Sequence, residues 1–486
     1  MREVRVEAIP LARLTALLGP ERTARVDEYA VRAQELLQGR IVWNVNATHA
    51  GGGVAEMLQA LLAYGRGAGV DTRWLVLHGT PDFFLLTKRI HNLLHGSPGD
   101  GGVLGEAEAA LYREVLDENI GLLERRVSPG DIVLLHDPQT AGLIPGVQRL
   151  GAHAVWRCHI GKDEPDELTH AGWSFLQPYV EQAEAVIFSR AAFVPQWVDQ
   201  NKLWIIPPSL DPFTAKNVDI DAHDISSVLC RASLVENTGD GLLAFPRRDG
   251  TTGVVRPHHG LVDGGRMVPE HARIVLQVSR WDRLKDMAGV MTGFARLLPE
   301  LPDDVHLMLA GPETSGVSDD PEGAEVLEEC RALRAALPPG TQERVHLCCL
   351  PMDDTDENAY LVNALQRRAT VVVQKSLVEG FGLTVTEPMW KGRPVIASRV
   401  GGIQDQVVDG ESGLLLDDPT DLDAFAAALQ RVLSDDVLAQ GLGAAARQRV
   451  LDHYLGDRHL MQYVDLFEAL YRDAPAQPEP AVARRD

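Results

Sequence analysis

Residues 370–392, TVVVQKSLVEGFGLTVTEPMWKG, carry the clearest pattern from which a fold class can be predicted. Their β-branched run, Thr370–Val373, is typical of a fully buried strand, and a helical pattern begins after a short glycine-containing turn. A continuous apolar strand followed by a helix is the repeating unit of a parallel sheet that helices cover on both faces. The stretch therefore predicts an α/β architecture with parallel strands.

The same unit recurs on both sides of a proline-rich segment, PPSLDP, at 207–212. Two series of strand-helix units predict two doubly wound domains, in which ligands bind beside the carboxyl ends of the strands. The predicted strands are 41–45, 74–77, 132–135, 154–157, 185–188 and 204–206 before the segment, and 274–278, 305–309, 345–347, 370–373, 394–397 and 413–416 after it.

Domain boundaries follow from the same reading. The prolines of the 207–212 segment disfavour helix and favour an extended linker. Residues 236–265 are rich in Gly, Arg and Asp, which predicts an inserted surface hairpin or loop, and we assign them no chemistry. The predicted division is an N-terminal domain over 1–208, a C-terminal domain over 209–455, a helix over 456–473 that returns to the N-terminal domain, and a frayed tail over 474–486.

Charge and composition exclude several classes of protein. The 486 residues include 46 Lys and Arg against 69 Asp and Glu, a formal net charge of −23. Such a surface repels phosphate backbones and anionic lipids, so we expect no nucleic-acid and no membrane partner. The start, MREVRVEAIPLARL, lacks the apolar stretch of a secretory signal. Five cysteines without CxxC spacing predict free thiols in a reducing, cytoplasmic location.

Two carboxylates flank the glycines of the 370–392 segment. Glu379 precedes the predicted helix, and Glu387 lies about one turn inside it. Gly380 and Gly382 allow the backbone to approach a ligand closely, and the amides beyond them form an anion site at the helix N-terminus. The alternative is a tight turn with a surface glutamate on each side, but the pair of carboxylates favours a binding site.

A second candidate segment, SRWDRLKD at 279–286, follows the first strand of the second domain. It places Arg280 and Lys285 at a strand end, where a diphosphate over the neighbouring helix N-terminus would lie. The alternative is a solvated basic turn that pairs with Asp282 and Asp286.

The first domain carries a glycine loop after its first predicted strand. Gly51, Gly52 and Gly53 fail the dinucleotide fingerprint because position 56 is Glu, and they lack the Lys-Ser/Thr of a phosphate-binding loop. A glycine loop at this position can still face a sugar or a phosphate, which is the function we predict for it. A plain strand-to-helix turn is the alternative.

Two histidines end adjacent strands of the first domain. His136, with Asp137 and Gln139, follows one predicted strand, and His159 follows the next. Taken singly, each histidine is more often a buried core residue than a functional group. Their equivalent positions at two carboxyl ends favour a shared functional edge.

Taken together, these segments resemble a known class of enzymes. The segment SLVEGFGLTVTEPMWKGRPVIASRVGGIQDQVVDGESG resembles the E-x7-E donor signature of retaining glycosyltransferases with the GT-B fold. Further segments (GGGVAE, PDFFLLTKRIHNLLHG, LLHDPQ, VWRCHI, IIPPSLDP with KN nearby, and QVSRWDRLKD) are similar to the trehalose glycosyltransferring synthases. The resemblance implies two doubly wound Rossmann-like domains facing across a cleft. It also implies transfer of glucose, with retention, from a nucleotide diphosphate-glucose to glucose, which forms α,α-trehalose.

The resemblance also assigns roles to residues. It implies that Arg280 and Lys285 hold the donor diphosphate, that Glu387 accepts hydrogen bonds from ribose, and that Glu379 holds the donor sugar. Arg280, Lys285, Glu379 and His159 are the implied catalytic residues, and His159 touches the donor sugar. The implied donor-binding set adds Gly380, Phe381, Gly382, Leu383 and Thr384, and the implied acceptor-binding set is Gly52, Gly53, His136, Asp137 and Gln139. The implied partners are two small-molecule substrates, of which the nucleotide diphosphate-glucose is not a cofactor. No metal is implied, because Arg280, Lys285 and the helix amides stabilise the charge on the diphosphate.

Two departures from the pattern leave alternatives open. Gly161 stands where the family pattern has Asp, which affects the expected acceptor, and the 236–265 insertion is extra. A trehalose phosphorylase, or a transferase with another sugar acceptor, remains the alternative activity. A nicotinamide-dependent dehydrogenase is disfavoured by Glu56, and a non-catalytic sugar-nucleotide sensor by the presence of the phosphate-binding pair. The sequence leaves the base (ADP, UDP or GDP) and the oligomeric state open, with a homodimer as one assembly.

Overall fold

We analysed a computed structural model of the chain, which describes residues 1–49, 53–236, 239, 241–314 and 321–473. The chain divides into two compact units. Unit 1 comprises Met1–Pro207 together with the chain from Gly456 onward, and unit 2 comprises Pro208–Leu455. The expected boundary lay between 208 and 209, and the expected returning helix began at 456.

The strands of unit 1 form a seven-stranded sheet in the order β1-β3-β2-β4-β5-β6-β7. All neighbouring pairs are parallel except β1 and β3. The seven strands are β1 (Arg2–Val4), β2 (Val42–Asn46), β3 (Thr72–Val76), β4 (Ile132–His136), β5 (His153–Cys158), β6 (Ala185–Phe188) and β7 (Leu203–Ile205).

Unit 2 contains a two-stranded antiparallel hairpin and a six-stranded parallel sheet in the order β12-β11-β10-β13-β14-β15. Its strands are β8 (Ala244–Pro246), β9 (Thr252–Val254), β10 (Arg273–Val278), β11 (Val305–Pro312), β12 (Val345–Leu350), β13 (Val371–Gln374), β14 (Val395–Ser398) and β15 (Leu414–Leu416).

The helices alternate with the strands, as the sequence pattern predicts. They are α1 (Leu11–Thr15), α2 (Pro20–Leu36), α3 (Gly53–Gly67), α4 (Pro81–Leu94), α5 (Glu106–Leu123), α6 (Ile144–Arg149), α7 (Glu167–Val180), α8 (Ala222–Arg231), α9 (Met287–Leu297), α10 (Pro321–Ala336), α11 (Pro339–Gln342), α12 (Thr355–Arg368), α13 (Leu383–Trp390), α14 (Ile403–Gln406), α15 (Leu422–Ser434), α16 (Asp436–His453) and α17 (Gly456–Asp473). Among the described residues, no helix is both long and apolar enough to span a bilayer.

Both sheets are covered on their two faces, which explains the continuous apolar strands. In unit 1, Trp43 and Trp156 pack on one face of the sheet among side chains of α4 to α7. Leu134 and Val155 pack on the other face against Tyr463 of α17. In unit 2 the two faces likewise lie in two separate apolar clusters. The predicted class, two doubly wound Rossmann-like domains, is confirmed.

Helix α17 belongs to unit 1 although unit 2 precedes it in the chain. The Arg22 Nε lies 2.5 Å from a carboxylate oxygen of the fully buried Asp457. Arg32 pairs with Glu468 at 2.7 Å. The apolar face of the helix and these ion pairs fix α17 on the sheet of unit 1.

The 236–265 segment contains the hairpin β8–β9, whose inner face is buried. Phe245 is 1% exposed and stacks on Tyr360 of α12 at 5.2 Å between ring centroids. Three arginines of the segment reach acidic residues at the start of α12. These pairs are Arg247–Asp354, Arg248–Asp356 and Arg256–Asp353 at 2.6 Å each, and Arg256–Glu357 at 2.5 Å. The segment is therefore anchored to the core of unit 2 as well as lying at the surface.

Candidate active site

The carboxyl ends of β10 and β13 bring Lys285 and Glu379 together in unit 2. The ammonium of Lys285 donates to Glu379 Oε2 at 2.6 Å, and the side chains are 14% and 11% exposed. Ser376 Oγ donates to the same oxygen at 3.3 Å. The two segments that sequence analysis selected independently thus meet at one point.

Backbone contacts hold these two segments in register. The Leu377 amide donates to the Leu284 carbonyl at 2.8 Å. Gln277, buried on β10, donates to the Lys285 carbonyl at 2.7 Å. These two hydrogen bonds therefore fix the backbone of the turn that carries Lys285, which lowers the entropy that this backbone loses on binding a ligand.

Lys375, which directly follows β13, adds a buried ion pair beneath this site. Its side chain is fully buried, and its ammonium donates to the Asp286 carboxylate. The same ammonium donates to the Pro419 carbonyl, at 2.5 Å. Asp286 has a left-handed backbone (φ 48°) and accepts the Gly289 amide at 3.0 Å as the N-cap of α9. Lys375 was not among the predicted site residues, although its position directly after a predicted strand was a signal.

The glycine turn before α13 depends on one close backbone approach. Gly402 donates its amide to the Gly380 carbonyl at 2.8 Å. At the neighbouring Gly401 (φ 51°), a Cβ would lie only 1.8 Å from the Glu379 carbonyl oxygen. Gly382, the N-cap of α13, has φ 86°, which glycine adopts without strain. The first amides of α13, those of Leu383 and Thr384, have no carbonyl partner in the helix and are suited to an anion.

Glu387 lies inside α13 and both its carboxylate oxygens have partners. Lys216 Nζ lies 2.9 Å from Oε1, and Gln366 Nε2 donates to Oε2 at 3.2 Å. The carboxylate is 4% exposed, while Lys216 is 22% exposed. The buried Lys391 donates to Gln366 and Asn217 at 2.7 and 3.0 Å, and burial holds the pKa of Lys391 well below its ordinary value. Sequence analysis missed these partners, apart from noting the KN pair at 216–217.

Arg280 lies at the same edge and has an exposed side chain. Its side chain is 58% exposed and reaches Asp282 at 3.0 Å. Asp282 in turn accepts the Leu284 amide at 2.8 Å. An exposed guanidinium at a strand end retains the mobility needed to follow a phosphate.

The carboxyl ends of β4 and β5 carry the candidate residues of unit 1. His136 Nδ1 lies 3.1 Å from His159 Nε2, and the rings stack with centroids 5.4 Å apart. The other nitrogen of His136 lies 3.1 Å from Asn44 Oδ1. His136 is 1% exposed, and burial lowers its pKa to about 3 and that of His159 well below the ordinary value. Both rings are therefore neutral at pH 7.

The structure gives His136 partners that the sequence did not predict. Both of its ring nitrogens have partners inside unit 1, and its role toward an acceptor sugar stays a prediction. Strand periodicity did not reveal this, since the last residue of a strand is equally compatible with burial and exposure.

Asp137 occupies a strained turn next to His159. Its backbone is left-handed (φ 64°), and its carboxylate accepts the His159 amide at 2.8 Å. Burial raises the pKa of this carboxyl group to about 7. Gln139 is half-buried two residues further on, and Gly53 is exposed at the start of α3. Gly52 and Gly51 lie outside the described residues.

Packing within unit 1 explains why position 161 is a glycine. A Cβ at this position would lie 2.4 Å from Cγ of Phe193, a buried ring over which Arg190 stacks. The glycine is therefore required by packing against Phe193. Within the described ranges, no group of three or more His, Cys, Asp or Glu side chains has the arrangement of a metal site.

Two family profiles match the chain, one in each unit. The profile described as "Trehalose synthase, N-terminal domain" matches residues 44–195, and that described as "Glycosyl transferases group 1" matches residues 266–449. The first covers the His136–His159 edge and the second covers both Lys285 and Glu379. The 236–265 segment lies outside both matches.

Two curated relatives match over most of their length. The chain is 33% identical over 458 residues to a trehalose synthase of Pyrococcus horikoshii, which covers 94% of this chain and 95% of the relative. It is 33% identical over 436 residues to a trehalose synthase of Rubrobacter xylanophilus, covering 89% and 91%.

Among solved structures, an alpha,alpha-trehalose-phosphate synthase (UDP-forming) from Burkholderia xenovorans in complex with glucose-6-phosphate superposes with a TM-score of 0.64. The match covers 88% of this chain and all of that chain at 13% identity, a likeness of fold alone. The identity to the curated relatives over nearly full length, together with the E-x7-E site on a GT-B fold, places the chain in the trehalose synthase family of glycosyltransferases.

Proposed function

We propose that the protein transfers glucose from a nucleotide diphosphate-glucose to free glucose with retention of configuration, forming α,α-trehalose. The observation that carries this proposal is the meeting of Lys285 and Glu379 at 2.6 Å beside the N-terminus of α13. A cation, helix amides and a carboxylate are thereby combined where a sugar diphosphate has its charges and hydroxyl groups.

Each part of the donor has a complementary group in unit 2. Arg280, Lys285 and the Leu383 and Thr384 amides bind the diphosphate in this proposal. Glu387, buried behind the helix N-terminus, accepts hydrogen bonds from ribose hydroxyls, for which Lys216 vacates one carboxylate oxygen. The 22% exposure of Lys216 against 4% for Glu387 supports that exchange, because the lysine has room to move into solvent.

The proposed reaction is a front-face displacement. The bond between the anomeric carbon and the phosphate oxygen breaks, the bond to the acceptor hydroxyl forms on the same face, and the acceptor proton passes to the leaving phosphate oxygen. Negative charge grows on the diphosphate, where the cations and helix amides stabilise it as fixed charges and dipoles. We propose that this arrangement needs no divalent metal.

A product assay tests the proposal. The enzyme is incubated with glucose and ADP-, UDP- or GDP-glucose, and in a parallel arm with glucose and glucose 1-phosphate, and the linkage of the product is determined by NMR. We expect α,α-1,1-linked disaccharide from at least one nucleotide-glucose, unchanged by EDTA. Product formed with glucose 1-phosphate as donor, and with none of the nucleotide-glucoses, would instead identify a phosphorylase. Loss of turnover in EDTA that Mg²⁺ restores would refute the metal-free reaction.

A further inference from the structure

The hydrogen bonds around His159 define which of its nitrogens carries the proton. The described residues place Asn44, His136 and His159 in one chain of contacts, with both links at 3.1 Å. All three side chains are buried, at 2%, 1% and 9% exposure. Buried polar groups that pair in a chain have few alternative arrangements.

The direction of this chain follows from the chemistry of the amide oxygen. Asn44 presents Oδ1, which only accepts, so His136 Nε2 must carry a hydrogen and donate it. A neutral imidazole has one N–H, so His136 Nδ1 is then an acceptor. The His159 Nε2 that faces it must therefore be the donor.

His159 is left with one unprotonated nitrogen, Nδ1. Among the described residues, Nδ1 has no hydrogen-bond partner. It is also absent from the set of fully buried polar atoms without a partner, so it is open to solvent and not enclosed by protein. The His159 amide is meanwhile fixed by the Asp137 carboxylate at 2.8 Å. Backbone and ring are thus both oriented before any ligand binds.

We propose that Asn44 and His136 are positioning residues that hold His159 in its Nε2–H form and so present Nδ1 as an acceptor for a hydroxyl group of a sugar substrate. The identity of that substrate rests on the proposed function, whereas the protonation pattern does not. A positioned acceptor discriminates against a substrate that lacks the hydroxyl, because the nitrogen is then left unpaired.

Two replacements of His136 separate positioning from packing. His136→Gln keeps the direction of the chain, because the Gln amide donates to Asn44 and its carbonyl accepts from His159. His136→Met removes the acceptor but keeps an apolar side chain of similar length. We expect His136→Met to lower kcat about 3–10-fold, the factor for one neutral hydrogen bond, and His136→Gln to restore most of it.

A second pair of buried histidines, in unit 2, provides a matched control. His306 Nδ1 lies 3.0 Å from His346 Nε2, and these buried rings also stack, at 5.3 Å. Both residues are second in their strands, β11 and β12, at the amino ends and not at the carboxyl ends that carry the candidate site. We expect His306→Met to lower stability as His136→Met does, but to leave kcat and KM unchanged.

Long-range ¹H–¹⁵N NMR of histidine-labelled protein reads the protonated nitrogen directly in the free protein. His159→Ala and His136→Met serve to assign the signals. We expect His159 to carry its proton on Nε2 in the wild type and in His136→Gln, and to lose that preference in His136→Met. A proton on Nδ1 in the wild type, or a kcat of His136→Met equal to that of the wild type, would overturn the proposal. The expected NMR pattern in a protein without transferase activity would refute only the proposed function.

Discussion

Lys285 and Glu379 neutralise each other at 2.6 Å in the free protein, so the cation proposed for the diphosphate already has an anionic partner. In the proposed reaction, donor binding exchanges a carboxylate for a phosphate on the Lys285 ammonium and so releases Glu379 toward the sugar. We therefore propose that the pair couples occupation of the phosphate site to the position of the Glu379 carboxylate.

Removing Glu379 tests this coupling. In Glu379→Gln, Lys285 has lost its charged partner, so we expect nucleoside diphosphate to bind more tightly, by about tenfold, near the lower end of the range for hydrogen bonds to charged groups. The kcat should fall, because the carboxylate stabilises positive charge that develops on the sugar ring. Calorimetry with the diphosphate and steady-state kinetics measure the two effects. Unchanged or weaker diphosphate binding would contradict the exchange.

Lys285→Ala should lower kcat by about 10²–10³, the usual scale for one preorganised stabiliser of developing charge. The double variant with Glu379→Gln should be far less than additive, since the two side chains touch. A double-mutant cycle in kcat measures the coupling. Additive effects would mean that the ion pair has no part in turnover.

Glu387 should affect binding more than chemistry. Ribose is remote from the anomeric carbon, so the contact is equal in ground and transition states, and Glu387→Gln should raise the donor KM with little change in kcat. Lys216→Met should leave kcat unchanged as well, because Lys216 contacts the carboxylate proposed for ribose, which is remote from the anomeric carbon. Circular dichroism controls for folding, since Glu387 is buried. A fall in kcat with constant KM in Glu387→Gln would place the donor differently.

Gly401 should be intolerant of any side chain. Gly401→Ala puts a Cβ within 1.8 Å of the Glu379 carbonyl, so the glycine turn must move and turnover should fall at least tenfold. Gly410→Ala is the control, because it is also left-handed (φ 76°) but has open space around its Cβ. We expect it to lose about 1–2 kcal/mol of stability and no activity. Equal effects on activity would show that backbone strain alone matters.

The paired histidines of unit 2 predict sensitivity to acid. Burial lowers the pKa of His306 to about 4 and that of His346 to about 3, from 6.5. As pH falls below 6.5, these histidines become protonated in the unfolded chain but stay neutral in the folded state. The free energy of unfolding therefore decreases with falling pH, until the pH reaches the folded-state pKa values of about 4 for His306 and about 3 for His346. His346→Gln should reduce the slope by up to about 1.4 kcal/mol per pH unit, the value for one proton. Urea unfolding at several pH values between 7 and 4.5 measures it; parallel curves for the two proteins would refute the assignment.

The sequence predicted the parallel strands because each is an apolar run between turn residues. It missed β1, a three-residue edge strand (Arg2–Val4) with two charged side chains. For 236–265 it predicted a hairpin or a loop but did not place the equally short strands β8 and β9. Such strands depend on a partner and carry no periodic signal of their own.

Within the site, proximity in sequence decided what could be predicted. The E-x7-E carboxylates and the Arg280–Lys285 turn lie at predicted strand ends, and the structure brings Lys285 to Glu379. Lys216 and Lys375 were missed as partners, because their contacts with Glu387 and Asp286 join residues far apart in the chain. The internal partners of His136 were missed as well, because no local pattern distinguishes a ring held by internal partners from one that faces a ligand.

The 236–265 segment also has its two ends tied together. Val235 and Val268 form a parallel bridge, and the Glu236 amide donates to the Val268 carbonyl at 2.8 Å. The spacing between the roots of the segment is thus independent of what the hairpin carries at its tip, the turn at Arg247–Thr251. At that tip Gly250 has φ 83° and no atom within 4 Å of its Cβ position, so we expect a short peptide inserted beside it to leave the path into β10 unchanged.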